Sequence, residues 1–391
     1  MQNKKIKIIQ ILFCTLCILF VLTFGILTVM NNNELSVKEG RKLTTFPKLT
    51  FKGLVQDEFY TELTNAFADQ LAYRETLIKW YYLFNLQKYV GDVVEGKDGQ
   101  LFLSPLIIED ETGYEENLKN IAKNDISKVA DNVNSLGAKF IFLSVPRKDV
   151  AMEKYLPSTY IKGTENYLKY VQIIRKNVSS NVEVMDAYEI LKNSDVYDTY
   201  YTTDHHINIR GAYPIFETII DRINEDGHSI SVLTLEEEYD VQSVVINGSF
   251  NRKIGQSVES KAEELILVPK NTEVLYTRED NGKATTRPIF GEGNTYADAY
   301  MGEDIAETVI KTNNNDAPNI LYVGSSYTNI LEALSVYKFN KMVSIDYRDN
   351  KTGKSIEDYV KEHDIDYVVF ICSQQNNALS ISSIKQHLGL K

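Results

Sequence analysis

Ile320-Leu321-Tyr322-Val323-Gly324-Ser325-Ser326-Tyr327 is the stretch on which the fold turns. Four consecutive apolar residues, β-branched or aromatic among them, read as a strand buried on both faces, and Gly324 marks its end. Working outward, the same texture recurs at residues 140–145, 182–185, 342–345 and 367–371. Helical spacing fills the intervals, at 126–136, 166–178, from about Asn329, and at 355–363. Strands that are apolar along their whole length, separated by helices, predict an α/β domain: a parallel sheet with helices on both faces. Chemistry in such sheets gathers at the carboxyl ends of the strands, where Ser325 and Ser326 fall. Residues 235–300 are more polar and more extended, and are expected to form an insertion or lid on a domain covering 91–391.

The 391 residues include 42 basic and 54 acidic side chains, a formal charge of −12. Only Lys4, Lys5 and Lys7, and no acid, precede residue 31, which leaves −15 for the remainder. A body this acidic is repelled by phosphate backbones, so nucleic acid is excluded as a partner. Of three cysteines, Cys14 and Cys17 fall in an apolar run and Cys372 stands alone, which excludes an internal disulfide framework and a zinc cluster in the body.

Residues 8–30 carry no charge and, at 1.5 Å rise per residue, are long enough to cross a bilayer core. The lysines before them predict a cytoplasmic tail at 1–7, a transmembrane anchor at 8–30, and everything later outside the cell membrane. A cleaved signal peptide is the alternative, but the run ends in Val29-Met30-Asn31-Asn32-Asn33 without a small-x-small site. Residues 31–90 are expected to hold a polar tether and then amphipathic helices, from Phe59, Leu63, Phe67, Leu71, Ile78, Tyr81, Tyr82 and Leu86. Gly96-Lys97-Asp98-Gly99 reads as a tight turn leading into Leu101-Phe102-Leu103.

Two of the five histidines are adjacent, in Tyr201-Thr202-Thr203-Asp204-His205-His206-Ile207-Asn208. In an extended chain residues two apart share a side, so Asp204 can fix the tautomer of His206 and leave its other nitrogen free as a base. His205 is then expected to face the opposite way. That geometry weighs against the alternative of a divalent ion on Asp204, His205 and His206, and no metal or cofactor is expected. Ser325 or Ser326, at a strand-to-helix turn, is either a helix cap or a nucleophile. A buried sheet beneath and an Asp/His pair elsewhere favour the nucleophile, with N–H groups opening the helix as oxyanion donors. Lys148, at the mouth of the first strand, is read as a solvated lysine.

These segments resemble the DHHW family of bacterial surface proteins, which is similar to the alginate O-acetyltransferase J and X proteins. Asp204-His205-His206 after Tyr201-Thr202-Thr203, and Gly324-Ser325-Ser326-Tyr327, carry the resemblance. Ala68-Asp69-Gln70 with Arg74, Val145-Pro146-Arg147-Lys148, Asn247-Gly248-Ser249-Phe250 and Ile345-Asp346-Tyr347-Arg348 follow in the family's order. The resemblance implies an SGNH-hydrolase-like fold with Ser326 as nucleophile, His206 as base and Asp204 as orienting carboxylate. It implies oxyanion or substrate contacts from the Ser326 and Gly248 N–H groups, the Asn247 side chain, Ser325, Tyr327 and His205. Arg348 either joins them or pairs with a neighbouring aspartate. The sequence departs from the pattern at Ile207, where the family has an aromatic, and at Ser325, where related serine motifs have an acid. The implied activity is transfer of acetyl from a membrane-bound O-acyltransferase to a cell-surface or exported polysaccharide. An acetylesterase of the same fold and a non-catalytic polysaccharide-binding or assembly protein stay open beside it.

Overall fold

A computed structural model of the protein describes residues 2–36, 41–51, 53–84, 89–90, 92–105, 111–193, 198–271, 273–350, 352–373 and 381–390. The chain divides into two compact units: residues 1–91 with 251–257, and residues 92–250 with 258–391.

The first unit is helical. Gln2–Met30 (α1) contains the uncharged run, and Ile6–Met30 is long and apolar enough to cross a membrane. Its last turn is tied to the loop between Asp57–Gln70 (α2) and Arg74–Phe84 (α3). The Ala72 N–H donates to Thr28 Oγ1 at 3.1 Å, and Asn31 Nδ2 donates to the Gln70 carbonyl at 2.8 Å. Buried Gln70 also donates to the carbonyls of Asn33 and Thr44, both at 2.9 Å, so the expected tether is pinned rather than loose. Where one or two amphipathic helices are expected, the structure has α2 and α3, while Leu86 lies outside the described residues.

The second unit opens with a hairpin of Val93–Glu95 (β1) and Leu101–Leu103 (β2), joined by the expected turn. Asp98 and Gly99 take φ of 56° and 77° there, the left-handed region that aspartate and glycine tolerate best. Glu111–Ile121 (α4) then runs through one π turn, Ala122–Ile126, into Ser127–Ser135 (α5). This helical stretch starts well before the 126 expected from the sequence.

Among the described residues, eight strands form the central sheet: Lys139–Val145 (β3), Val182–Asp186 (β4), Tyr276–Asp280 (β7), Lys283–Thr285 (β8), Glu307–Thr312 (β9), Asn319–Val323 (β10), Lys341–Ile345 (β11) and Tyr367–Ser373 (β12). Tyr239–Val245 (β5) and Ala262–Pro269 (β6) make a separate antiparallel pair. The order across the sheet is β8-β7-β9-β11-β10-β12-β3-β4. β11, β10, β12, β3 and β4 are parallel, as expected from their apolar runs. β9, β7 and β8 extend the sheet antiparallel, so part of the expected insertion, 276–285, belongs to the main sheet.

Side chains alternate across the parallel strands. Phe140, Phe142, Leu321, Val323, Val368 and Phe370 pack with Ile121, Ile126 and Val133, with Tyr167 and Ile174 of Thr164–Asn177 (α6), and with Tyr359 of Ile356–His363 (α9). On the opposite face Tyr322 and Ser344 meet Asn329–Ser335 (α8): Tyr322 Oη lies 2.7 Å from Ser335 Oγ, and Ser344 Oγ donates to Glu332 Oε1 at 2.5 Å. Beside α8 lies Ile209–Glu225 (α7), with Asn208 Oδ1 accepting the Gly211 N–H at its start. The sheet therefore has helices on both faces.

Candidate active site

β10 delivers Ser326 to the carboxyl edge of the sheet. From residue 320 to 336 every residue is buried except Ser326, which is half-buried. A hydroxyl left open in an otherwise closed stretch is a group presented to solvent. Helix α8 begins only at Asn329 with Thr328 at its cap, and Ser326 Oγ lies 2.8 Å from His206 Nε2. That contact decides against the helix-cap reading of Ser326, and it places the Ser326 N–H in a turn rather than in the first turn of the helix.

His206 comes from the loop after the bridge residue Tyr200, 120 residues earlier in the chain. Its Nδ1 lies 2.7 Å from Asp204 Oδ1. Asp204 is buried, and it also accepts the N–H groups of His205 (2.7 Å), His206 (3.1 Å) and Ser249 (2.6 Å). Burial alone would raise the Asp204 carboxyl; His205, His206 and the Ser249 N–H outweigh it and hold the group well below the usual carboxylate range. An ionised carboxylate only accepts, so the proton sits on His206 Nδ1 and the Nε2 lone pair faces Ser326. The arrangement can take a proton from Ser326 as its oxygen attacks an electrophilic carbonyl.

His205 does not turn away as expected. Because Asp204 Oδ1 accepts both following N–H groups, the backbone curls into a turn, and the His205 ring lies 3.9 Å from that of His206. His205 Nδ1 is 2.8 Å from Ser249 Oγ. One ligand-type atom from each of Asp204, His205 and His206 falls within 4.8 Å of the others. These atoms are held in hydrogen bonds with one another, with Ser249 or with Ser326, which is the pattern of a proton relay.

The remaining expected residues distribute unevenly. The Tyr327 hydroxyl donates to the His205 carbonyl at 2.7 Å, bracing the histidine loop from the serine side. Gly248 is required by close approach: a Cβ there would stand 2.2 Å from the Thr203 carbonyl oxygen. Ser325 is buried beside Ser326 and its carbonyl accepts from the Thr328 N–H and hydroxyl. The Asn247 N–H donates to the Asn294 carbonyl at 2.8 Å. Arg348 is taken up by Asp346, with Nε donating to both carboxylate oxygens at 2.9 and 3.0 Å, so it serves as an internal ion pair.

Two features escaped the sequence. The Tyr296 ring, ninety residues further along the chain, stacks on the His206 imidazole at 3.8 Å and 6°. Lys148, expected in solvent, is 4% exposed, and its Nζ donates to the carbonyls of Tyr201 (2.6 Å) and Thr202 (2.7 Å). Glu263 accepts the Thr202 N–H at 2.7 Å from the other side. Burial pushes Lys148 down to about 7 against the pull of Glu263 and Asp204, and pushes Glu263 up to about 6. The loop carrying Asp204 and His206 is thus gripped on both sides of one peptide unit.

Fold and site together define an SGNH-hydrolase-like α/β domain, with its serine at the carboxyl edge of a parallel sheet core. The chain belongs to the family described as SGNH hydrolase-like domain, acetyltransferase AlgX, which matches residues 93–346, well over half of the sequence. Membership carries acyltransferase or esterase activity as its broad class. Among solved structures, Bacillus cereus PatB1 with a sulfonyl adduct is 21% identical with a TM-score of 0.57, covering 74% of this chain and 96% of that one. A DHHW family protein from Eubacterium siraeum DSM 15702 is 20% identical with a TM-score of 0.58, covering 76% and 95%. The O-acetyltransferase domain of Pseudomonas putida AlgJ is 13% identical with a TM-score of 0.45, covering 76% and 93%. No curated protein matches the sequence.

Proposed function

We propose that this chain is a membrane-anchored, outward-facing O-acetyltransferase that moves acetyl groups onto a cell-surface or exported polysaccharide through an acetyl-Ser326 intermediate. The observation that carries the reading is the continuous line from Asp204 Oδ1 to His206 Nδ1 (2.7 Å) and from His206 Nε2 to Ser326 Oγ (2.8 Å), ending on an accessible hydroxyl.

In this mechanism Ser326 Oγ attacks the acetyl carbonyl while its proton passes to His206 Nε2, and Asp204 stabilises the imidazolium. The tetrahedral oxyanion is held by backbone N–H groups, those of Ser326 and Gly248 being the candidates. Collapse expels the donor's oxygen with the proton from His206 and leaves acetyl-Ser326. A sugar hydroxyl then gives its proton to His206 and attacks the ester, and Ser326 recovers a proton as the acetylated sugar departs. Acetyl groups arise in the cytoplasm, so an outward-facing transferase takes them from a multi-span O-acyltransferase in the same membrane. Anchoring by α1 raises the local concentration of that donor.

The test is to incubate the full chain in detergent with p-nitrophenyl acetate and record intact mass, alongside Ser326→Ala and His206→Ala. The expected result is nitrophenol release and an acetyl mass increment that both substitutions abolish. Turnover undiminished in Ser326→Ala refutes the assignment. Added oligosaccharide then separates transferase from esterase: acetylated product identifies the first, and free acetate alone the second.

A further inference from the structure

We infer that the first unit lies against the bilayer surface, with Trp80 seated in the interface and the stretch carrying Lys48, Leu49, Phe51 and Val55 on the headgroups of anionic lipids. This rests on the reading of α1 as a membrane span.

Residues 8–30 span about 34 Å as a helix, so the last turn of α1 reaches the outer interface. The bonds from Ala72 to Thr28 and from Asn31 to Gln70 hold the start of α3 at that level. On α3, Leu77, Trp80, Tyr81 and Phe84 fall at i, i+3, i+4 and i+7, which is one stripe, and all are exposed, as is Tyr73 in the turn just before the helix. The opposite side carries buried Tyr82. An amphipathic helix with its apolar stripe turned outward needs a cover. Tryptophan and tyrosine are the side chains that settle where one end of the ring meets lipid and the other meets water.

A second observation points to lipid as the cover. Residues 41–56 hold Arg41, Lys42, Lys48 and Lys52 and no acid, in a chain of formal charge −12. In that same segment Leu49, Phe51 and Val55 are exposed, Phe51 to 96%. Basic side chains interleaved with bare apolar ones, next to a membrane span, match an anionic bilayer surface, where charge and apolar burial act together.

Trp80 is the only tryptophan, so tryptophan emission reports this site alone. The full chain is reconstituted into vesicles of phosphatidylglycerol and phosphatidylcholine whose acyl chains carry bromine near the headgroup or none. The expected result is a roughly twofold loss of emission in the brominated vesicles, with Trp80 shielded from aqueous iodide. Equal emission in both vesicles overturns the inference. If iodide then quenches, Trp80 faces water; if it does not, a second copy of the chain covers the stripe. A chain that fails to float with the vesicles overturns the anchor itself, a result distinct from a chain that floats with Trp80 unquenched.

Discussion

Replacing Lys148 with methionine keeps the length and apolar body of the side chain and removes its donors. The carbonyls of Tyr201 and Thr202, accepting at 2.6 and 2.7 Å, then lose partners in a closed environment. Each orphaned buried acceptor costs about 1–3 kcal/mol. Relief from burying an ammonium returns part of this, so the net loss is about 2 kcal/mol, a fall on the order of 5 °C in Tm. Because Thr202 sits two residues before Asp204, slackening this loop displaces the His206–Ser326 pair, for which roughly a hundredfold loss in kcat/KM is expected. Lys148→Arg should not rescue, since a forked guanidinium does not fit where a compact ammonium meets two carbonyls. The linkage gives a separate signature. Burial lowers Lys148 from 10.5 to about 7, so between those values the folded state binds fewer protons than the unfolded one. Stability in the wild type therefore receives a contribution that rises with pH across that window, and Lys148→Met removes it. Thermal unfolding across pH, with p-nitrophenyl acetate turnover, measures both. A methionine variant with turnover within twofold of wild type and an unchanged pH–stability slope refutes the reasoning.

Asp204→Asn frees the His206 tautomer, and kcat is expected to fall by about 10³–10⁴ with KM little changed, read from steady-state kinetics. Gly248→Ala puts a methyl 2.2 Å from the Thr203 carbonyl oxygen, so the loop must move; about 3 kcal/mol of stability and most activity are expected to go, checked by circular dichroism melts and turnover. The Cys372 thiol is buried beside the Tyr170 hydroxyl and pushed up to about 11 by burial. In the native protein at mildly alkaline pH the Cys372 peptide is expected to stay unmodified by iodoacetamide, and to react only after unfolding, as peptide mapping shows.

The parallel strands were legible because burial on both faces demands unbroken apolar runs, as in Phe140-Ile141-Phe142-Leu143 and Tyr367-Val368-Val369-Phe370. β7 and β8 escaped because, near an edge, Tyr276-Thr277-Arg278-Glu279-Asp280 and Lys283-Ala284-Thr285 keep polar side chains and so resemble a loop insertion. α7 was hidden by Gly211 and Pro214, which argue against a helix locally, while Ile215, Phe216, Ile219, Ile220 and Ile223 bury enough surface to override them. At the candidate site, residue type and resemblance pointed to Ser326, His206 and Asp204, whose side chains the fold brings into hydrogen-bond contact. His205 was misplaced because an extended chain was assumed where the Asp204 carboxylate makes a turn. Lys148 was misjudged because a charge reads as exposed until its partners, here two carbonyls more than fifty residues away, are known. Tyr296 had no local signal at all.

The order of the strands carries a consequence for how the protein is made. β12, the last strand among the described residues, lies between β10 and β3, in the middle of the sheet. It pairs with β3 from Tyr367↔Lys139 to Ser373↔Val145, across more than two hundred intervening residues. Closing so long a loop is slow, and until the C-terminal segment arrives β3 with β4 and β10 with β11 are two half-sheets with bare edges. In the proposed topology, with residues 1–7 inside and the chain exported from the end of α1 onward, the sheet cannot be completed while the tail is still inside. Loss of β12 by truncation would remove the joint rather than the rim, leaving two sticky fragments in place of a trimmed enzyme.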